Sequence, residues 1–118
     1  MPPPSQLAIA TGSVSRLLKE QASYHNELAD QEAQIAKQEE KIKAGGGDED
    51  GNAEFMLKQS KTAVEQTRAV FGPLKQRLDE AVVKLEDQIA LAEEAGGSED
   101  LENAKKVLGQ AKASSLDL

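Results

Sequence analysis

The sequence predicts an all-α fold, an elongated three-helix bundle forming one domain over residues 1–118. Three observations carry that prediction. Ala, Glu, Lys, Leu and Arg supply 58 of the 118 residues, the composition of long helices and coiled coils. Apolar residues recur at spacings of three and four over two long stretches and one short one, and no stretch alternates as a strand would. Six of the nine glycines fall in two clusters, Gly45, Gly46, Gly47 and Gly51, then Gly96 and Gly97; among Asp, Asn and Ser these read as loops. Aromatics make up only 3% of the chain. Such side chains normally supply much of a core's buried area, so thin seams of Leu, Ile, Val and Ala are expected.

The first helix is expected over residues 5–44. Its stripe runs Leu7, Thr11, Val14, Leu18, Gln21, His25, Leu28, Glu32, Ile35, Glu39, Ile42. It is widest near the N-terminus, where Ile9, Ala10, Leu17 and Tyr24 flank it. After Leu18 one edge of the stripe turns polar.

The second helix is expected over residues 53–95. Leu57, Ser60, Val64, Thr67, Phe71, Leu74, Leu78, Ala81, Leu85 and Ala92 hold the 3–4 spacing, with Ile89 beside it. Phe55, Met56, Val70, Val82 and Val83 are expected to widen the stripe. Pro73 interrupts the hydrogen-bond ladder, because it has no N–H and clashes with the carbonyl four residues back. The apolar phase nevertheless continues across it, which predicts one long helix kinked at Pro73.

The third helix is expected over residues 98–113, with Ser98 as N-cap and Glu99, Asp100 and Glu102 on the positive end of its dipole. Its stripe is Leu101, Ala104, Leu108 and Ala111, with Val107 alongside; Ser114–Leu118 is expected to fray. Glu39–Lys43, Glu54–Lys58, Glu80–Lys84 and Glu102–Lys106 have the favoured i,i+4 orientation for pairing on exposed faces.

Short connections make successive helices antiparallel. The short third helix can then cover only the start of the first and the end of the second, which is where the stripes are widest. The rest, around Ile35, Ile42 and Leu57, is expected to be a two-helix pair with a thin seam, open at the Gly-rich acidic loop 45–52.

The net charge is −7. Asp48, Glu49 and Asp50 in that loop account for three of these charges, and the helical segments are close to balanced. Nucleic-acid binding needs clustered Lys and Arg, and the densest clusters are only Lys37/Lys41/Lys43 and Lys105/Lys106. The acidic balance argues equally against anionic membranes. No apolar run approaches the ~18 residues of a membrane span. The start, Met-Pro-Pro-Pro-Ser, has neither the basic nor the apolar part of a signal peptide. A cytoplasmic protein is expected.

No motif for catalysis survives a check by position. Without Cys there is no thiol nucleophile and no zinc ribbon. Gly46 and Gly51 have the spacing that opens a phosphate loop, but Asn52 stands where Lys is required. Asp48, Asp50 and Asn52 imitate the opening of a calcium loop, but Ala53 replaces its glycine and Gln59 its bidentate glutamate. His25 is the only imidazole and is expected half-exposed on the first helix's seam. An enzyme is therefore not expected, and no metal or cofactor is called for. Tyr24 with Arg16, Lys19 and Glu20 has the residue types of an interface hot spot; the alternative is that Tyr24 simply packs at the flank of its helix.

The first segment carries Ile9, Thr11-Gly12, Val14, Arg16-Leu17, Lys19-Glu20, Tyr24, Glu27, Gln31-Glu32 and Ile35. The second carries Lys58-Gln59, Glu65, Arg68, Pro73, Arg77-Leu78, Ala81, Leu85 and Ile89, and the third Glu102, Ala104 and Val107-Leu108. In these strings the chain resembles the tubulin-specific chaperone A family, also called tubulin-folding cofactor A. The Pro-rich start and the loop 45–52 depart from the pattern. The resemblance implies a monomeric, cytoplasmic, cytoskeleton-associated three-helix chaperone that captures β-tubulin folding intermediates and passes them to the other tubulin-folding cofactors that assemble the αβ heterodimer. It implies no nucleotide, metal or catalysis. The matched polar residues Arg16, Lys19, Glu20, Tyr24, Glu27 and Arg68 become candidate partner-binding residues, with Arg16, Lys19 and Arg68 set to meet carboxylates of an acidic client and Tyr24 to anchor it. The alternative for these positions is intramolecular pairing that orients the helices. Competing readings of the whole chain are a coiled-coil scaffold or oligomerisation module, and a prefoldin-like subunit, which needs strands between its helices.

Overall fold

The computed structural model describes residues 4–45, 51–97 and 99–115, the side chain of Ser115 excepted. Three α-helices occur in order: α1 (Gln6–Lys43), α2 (Asn52–Glu94) and α3 (Leu101–Ser115). No strand occurs among the described residues. The all-α, three-helix class expected from composition and spacing is the class observed. The acidic residues Asp48, Glu49 and Asp50, and the expected N-cap Ser98, lie outside the described residues.

The chain divides into two compact units. One comprises residues 1–21 with 73–118, the other residues 22–72. The first holds α1 up to Gln21, α2 from Pro73 and the whole of α3. Ser5 starts α1 as its N-cap: its hydroxyl oxygen accepts from the Ala8 N–H at 3.0 Å, meeting a donor that has no partner within the helix. The core is Leu7 and Val14 from α1, Leu78, Leu85 and Ile89 from α2, and Ala104, Val107 and Ala111 from α3. Val14, Leu85 and Ala104 are fully buried. Burying a Val or Leu side chain contributes roughly 1.5–3 kcal/mol, so these few positions supply much of the unit's stability. Ala104 and Ala111 keep α3 thin enough to lie close to its neighbours.

Polar contacts show how the helices run. Ser5 donates to Asp100 at 3.4 Å and Ser114 donates to Gln21, so α1 and α3 run parallel. Lys105 pairs with Glu93 and Lys112 with Glu86, both at 3.5 Å, so α3 runs antiparallel to α2. Two buried polar side chains on α1 are satisfied. Thr11 Oγ1 donates to the Leu7 carbonyl at 2.7 Å, and Gln21 accepts from Ser114.

Helix α2 is unbroken through Pro73, as the continuous apolar phase predicted. It ends on a Gly cap. The Gly97 N–H bonds to the Ala92 carbonyl at 2.8 Å and the Gly96 N–H to that of Glu93 at 3.1 Å, with Gly96 at φ 97°, so the last carbonyls of α2 gain partners. Nothing lies within 4 Å of a Cβ built on Gly96, which leaves the left-handed backbone as the only obstacle to a side chain. Gly96→Ala is therefore expected to cost about 1–2 kcal/mol, read as a lower midpoint in urea unfolding followed by circular dichroism.

Helix α3 begins at Leu101, three residues after the expected start. The chain is still turning at Glu99 and Asp100 after the cap, and Asp100 takes the N-cap place, its carbonyl accepting from the Ala104 N–H at 2.9 Å. At its other end α3 runs to Ser115, two residues past the expected end, and the Ser114–Gln21 bond holds the last turn where fraying was expected. Leu116–Leu118 lie outside the described residues.

The second unit is a pair, α1 from Ala22 onward against α2 up to Gly72. Tyr24 meets Phe71 and Glu32 meets Arg68, so the two helices of this pair run antiparallel. Among the described residues only Val64 and Thr67 are buried here, while Leu28, Ile35, Ile42 and Leu57 are half-buried: the thin seam that was expected.

The seam on α1 differs in one respect. Expected at His25, Glu32 and Glu39, its second edge instead runs through Tyr24, Gln31 and Gln38, and His25, Glu32 and Glu39 are exposed. A helix with one neighbour covers only one flank of its Leu28–Ile35–Ile42 row, and the neutral flank is cheaper to desolvate than the charged one. The Oε1 atoms of Gln31 and Gln38 are shut off there with no hydrogen-bond partner among the described residues, a position that is unfavourable for an amide oxygen.

Two further expectations are corrected. Phe55, Met56 and Val83 do not widen the α2 stripe, since each is at least half exposed, and so nearly is Ile9. Glu39–Lys43, Glu80–Lys84 and Glu102–Lys106 do not close into ion pairs. Among the described residues Lys75–Asp79 pairs at i,i+4, at 3.0 Å, while Arg68–Glu32, Arg77–Glu20, Lys105–Glu93 and Lys112–Glu86 link different helices. Exposed pairs gain too little to offset the side-chain entropy they lose, so spacing alone does not select which of them form.

Candidate functional site

Three of the six candidate partner-binding residues, Arg16, Lys19 and Glu20, lie in the three-helix unit. The others, Tyr24, Glu27 and Arg68, lie in the two-helix unit.

In the three-helix unit, α3 covers one side of the α1/α2 pair. The other side is an open groove of about 590 Å³. Its floor is Ala10, Leu17 and Ala81, half-buried side chains that rest on the core. One rim carries Ser13, Arg16 and Glu20 of α1, the other Arg77, Glu80, Lys84 and Asp87 of α2. These spacings of three and four on each helix place each rim along one face. Arg77 donates to Glu20 at 3.3 Å, with both side chains substantially exposed, and closes one end of the groove. The sequence reading picked out Arg16 and Glu20 here but missed Arg77, Glu80 and Lys84. The signal was present, since 77, 80, 81 and 84 repeat at helix spacing beside the apolar stripe, and Arg77 belongs to a matched string. Lys19 is exposed and does not line the groove.

In the two-helix unit, Tyr24 is half-buried and meets Phe71 edge-on, with ring centroids 6.4 Å apart at 76°. His25 lies over the same ring at 4.5 Å and 31°. Phe71 therefore serves as a platform for the only Tyr and the only His of the chain. Edge-to-face contact is worth ~1 kcal/mol beyond area, so Tyr24 has a packing role, and its remaining surface faces outward. Arg68 donates to Glu32 at 2.9 Å, while Glu27 is exposed.

Two of the six candidates, Glu20 and Arg68, thus make the intramolecular pairs that stood as the alternative for these positions. Both pairs are exposed and worth at most about 1 kcal/mol, so a partner's charge can displace them at little cost. Chemically, these surfaces offer exposed charges and an aromatic side chain for binding a partner. Among the described residues no cluster of His, Asp and Glu could hold a metal ion, and no helix is long and apolar enough to cross a membrane.

Comparison with known proteins gives a consistent result. The family model for tubulin binding cofactor A matches residues 2–108. Tubulin-specific chaperone A of Mus musculus is 30% identical over 107 residues, covering 91% of this chain and 91% of the relative. That of Rattus norvegicus is also 30% identical over the same length and coverage. The crystal structure of tubulin folding cofactor A from Arabidopsis thaliana matches at a TM-score of 0.74 and 27% identity, covering 91% of this chain and 92% of that one.

Proposed function

Because this chain belongs to the tubulin binding cofactor A family, we propose that it is a tubulin-folding chaperone of the cytoplasm. It captures β-tubulin folding intermediates as a monomer and passes them on in the pathway that assembles the αβ heterodimer, by binding alone. The observation that carries this reading is the family match, which spans nearly the whole chain. The surfaces on both units support it: open helix faces, balanced in charge, with exposed ion pairs that exchange readily for a partner's groups. With a net charge of −7, long-range attraction does not bring an acidic client in, and local contacts must hold it. Arg16, Lys19 and Arg68 are the cations for client carboxylates, Glu20 and Glu27 flank them, and Tyr24 on its Phe71 platform is the aromatic anchor.

The test is co-purification of the full chain with freshly released β-tubulin, with α-tubulin and actin as competitors. Selective recovery of β-tubulin by a monomer in sedimentation is the expected result. Recovery of all three clients alike, or of none, overturns the reading. Replacing Arg16, Lys19 and Tyr24 together by Ala is expected to weaken capture about tenfold or more, the scale of lost hot-spot contacts, with the helical circular-dichroism signal retained. Unchanged capture would remove these three residues from the binding surface.

A further inference from the structure

Capture of a client requires a surface shaped for some part of it. We infer that the α1/α2 groove of the three-helix unit takes a single amphipathic helix of the client, seated as a fourth helix opposite α3. The inference rests on the proposed chaperone function and narrows it.

Shape comes first. The groove runs along α1 from Gln6 to Glu20, about 20 Å at 1.5 Å per residue, or four turns of a docked helix. Its floor is two alanines and one leucine, so a helix can approach closely and set its side chains between those of α1 and α2. An extended segment that binds by backbone pairing needs a sheet edge, and no strand occurs among the described residues; one in a polyproline conformation needs a groove lined by aromatics, and no aromatic lines this one. A helix satisfies its own.

Charge then selects among helices. The Glu20–Arg77 contact sets the antiparallel register, which brings Arg16 level with Glu80 on the opposite rim. These two do not pair with each other, and neither they nor Lys84 has an ion-pair partner among the described residues. A helix lying between the rims meets a cation on the α1 side and an anion on the α2 side at the same level. The complementary occupant carries an apolar stripe toward Ala10, Leu17 and Ala81, an acidic residue on the flank facing Arg16, and a basic residue on the flank facing Glu80. A uniformly acidic helix meets Glu80 and Asp87, and a uniformly basic one meets Arg16 and Lys84, so both are disfavoured against a helix of mixed charge.

The absence of Cys makes the test direct, because a single introduced thiol is the only labelling site. Ser13→Cys, carrying a benzophenone photo-crosslinker, is irradiated with captured β-tubulin, and the joined client peptides are identified by mass spectrometry. Crosslinks confined to one helical segment with the stated flanks are expected. Crosslinks scattered over unrelated segments, or none while capture persists, overturn the single-helix inference and leave the chaperone function standing. A full chain that captures no β-tubulin overturns both. As a second arm, Glu80→Lys is expected to weaken capture at least about fivefold at low salt, against little change for Glu94→Lys, which makes the same charge reversal outside the groove. Equal effects of the two would overturn the charge argument even if Ser13→Cys disturbed docking.

Discussion

Leu85→Ala is expected to destabilise the protein by about 2–5 kcal/mol, the range for removing a fully buried leucine and leaving a cavity that its neighbours only partly fill. Leu85 has no exposed surface and stands in the core where α1, α2 and α3 meet. A chain of this size has a total stability of about 5–15 kcal/mol, so the loss is a large share of it. The same truncation at Ile35, half-buried in the two-helix unit, is expected to cost under about 2 kcal/mol, since much of that side chain is already in water. Urea unfolding followed by circular dichroism measures both. The contrast is the informative quantity: equal costs at Leu85 and Ile35 would mean that the stability is not concentrated where three helices pack.

Pro73→Ala is expected to act in the opposite direction, raising stability by about 1–2 kcal/mol. Proline in a helix interior is ~3 kcal/mol less favourable than alanine, because it lacks a donor for the carbonyl of Ala69 and crowds it. Part of that gain is returned, since proline also restricts the unfolded chain. Pro73 is exposed and lies within a continuous helix, so alanine removes no buried contact. The check is the thermal midpoint of the variant. A fall instead of a rise would show that the proline shapes how the next turn, with Leu74 and Leu78 buried to 1–2% exposure, meets its neighbours. Should Pro73→Ala gain stability and lose β-tubulin capture, the proline would be serving the chaperone at the expense of the fold.

Much of the fold could be read from the order of residues. Helix spacing at Leu7, Val14, Leu78, Leu85 and Ala104 named core positions correctly, because a row of apolar side chains every three or four residues has only one way to leave water. The glycine clusters marked both breaks, since a helix is ended most cheaply by a residue free to take positive φ, as at Gly96. Less legible was the α3 start. Ser98 and Asp100 are both good caps, and the choice between them depends on how many residues the preceding Gly cap consumes. The candidate site was half legible: Arg16 and Glu20 came from the matched strings, while Glu80 and Lys84 looked like ordinary solvated charges and an i,i+4 pair.

What the sequence alone determined is therefore the class, the number of helices, most of the core and the family, because these depend on periodicity and residue identity along one chain. Only the tertiary structure decided which flank of each stripe is covered. On α1 the same row is bordered on both sides in the three-helix unit and on one side in the two-helix unit, so Tyr24 and Gln31 are drawn in while His25 and Glu32 face water. It also decided which charges pair. Arg77 chose Glu20 and Arg68 chose Glu32, across helices and 57 and 36 residues apart, while Arg16, four residues from Glu20 on its own helix, did not pair with it. The net charge of −7 shows the same distinction. Net charge is a property of the list of residues, but the groove with its facing Arg16 and Glu80 exists only once two antiparallel helices bring positions sixty-four apart to one level.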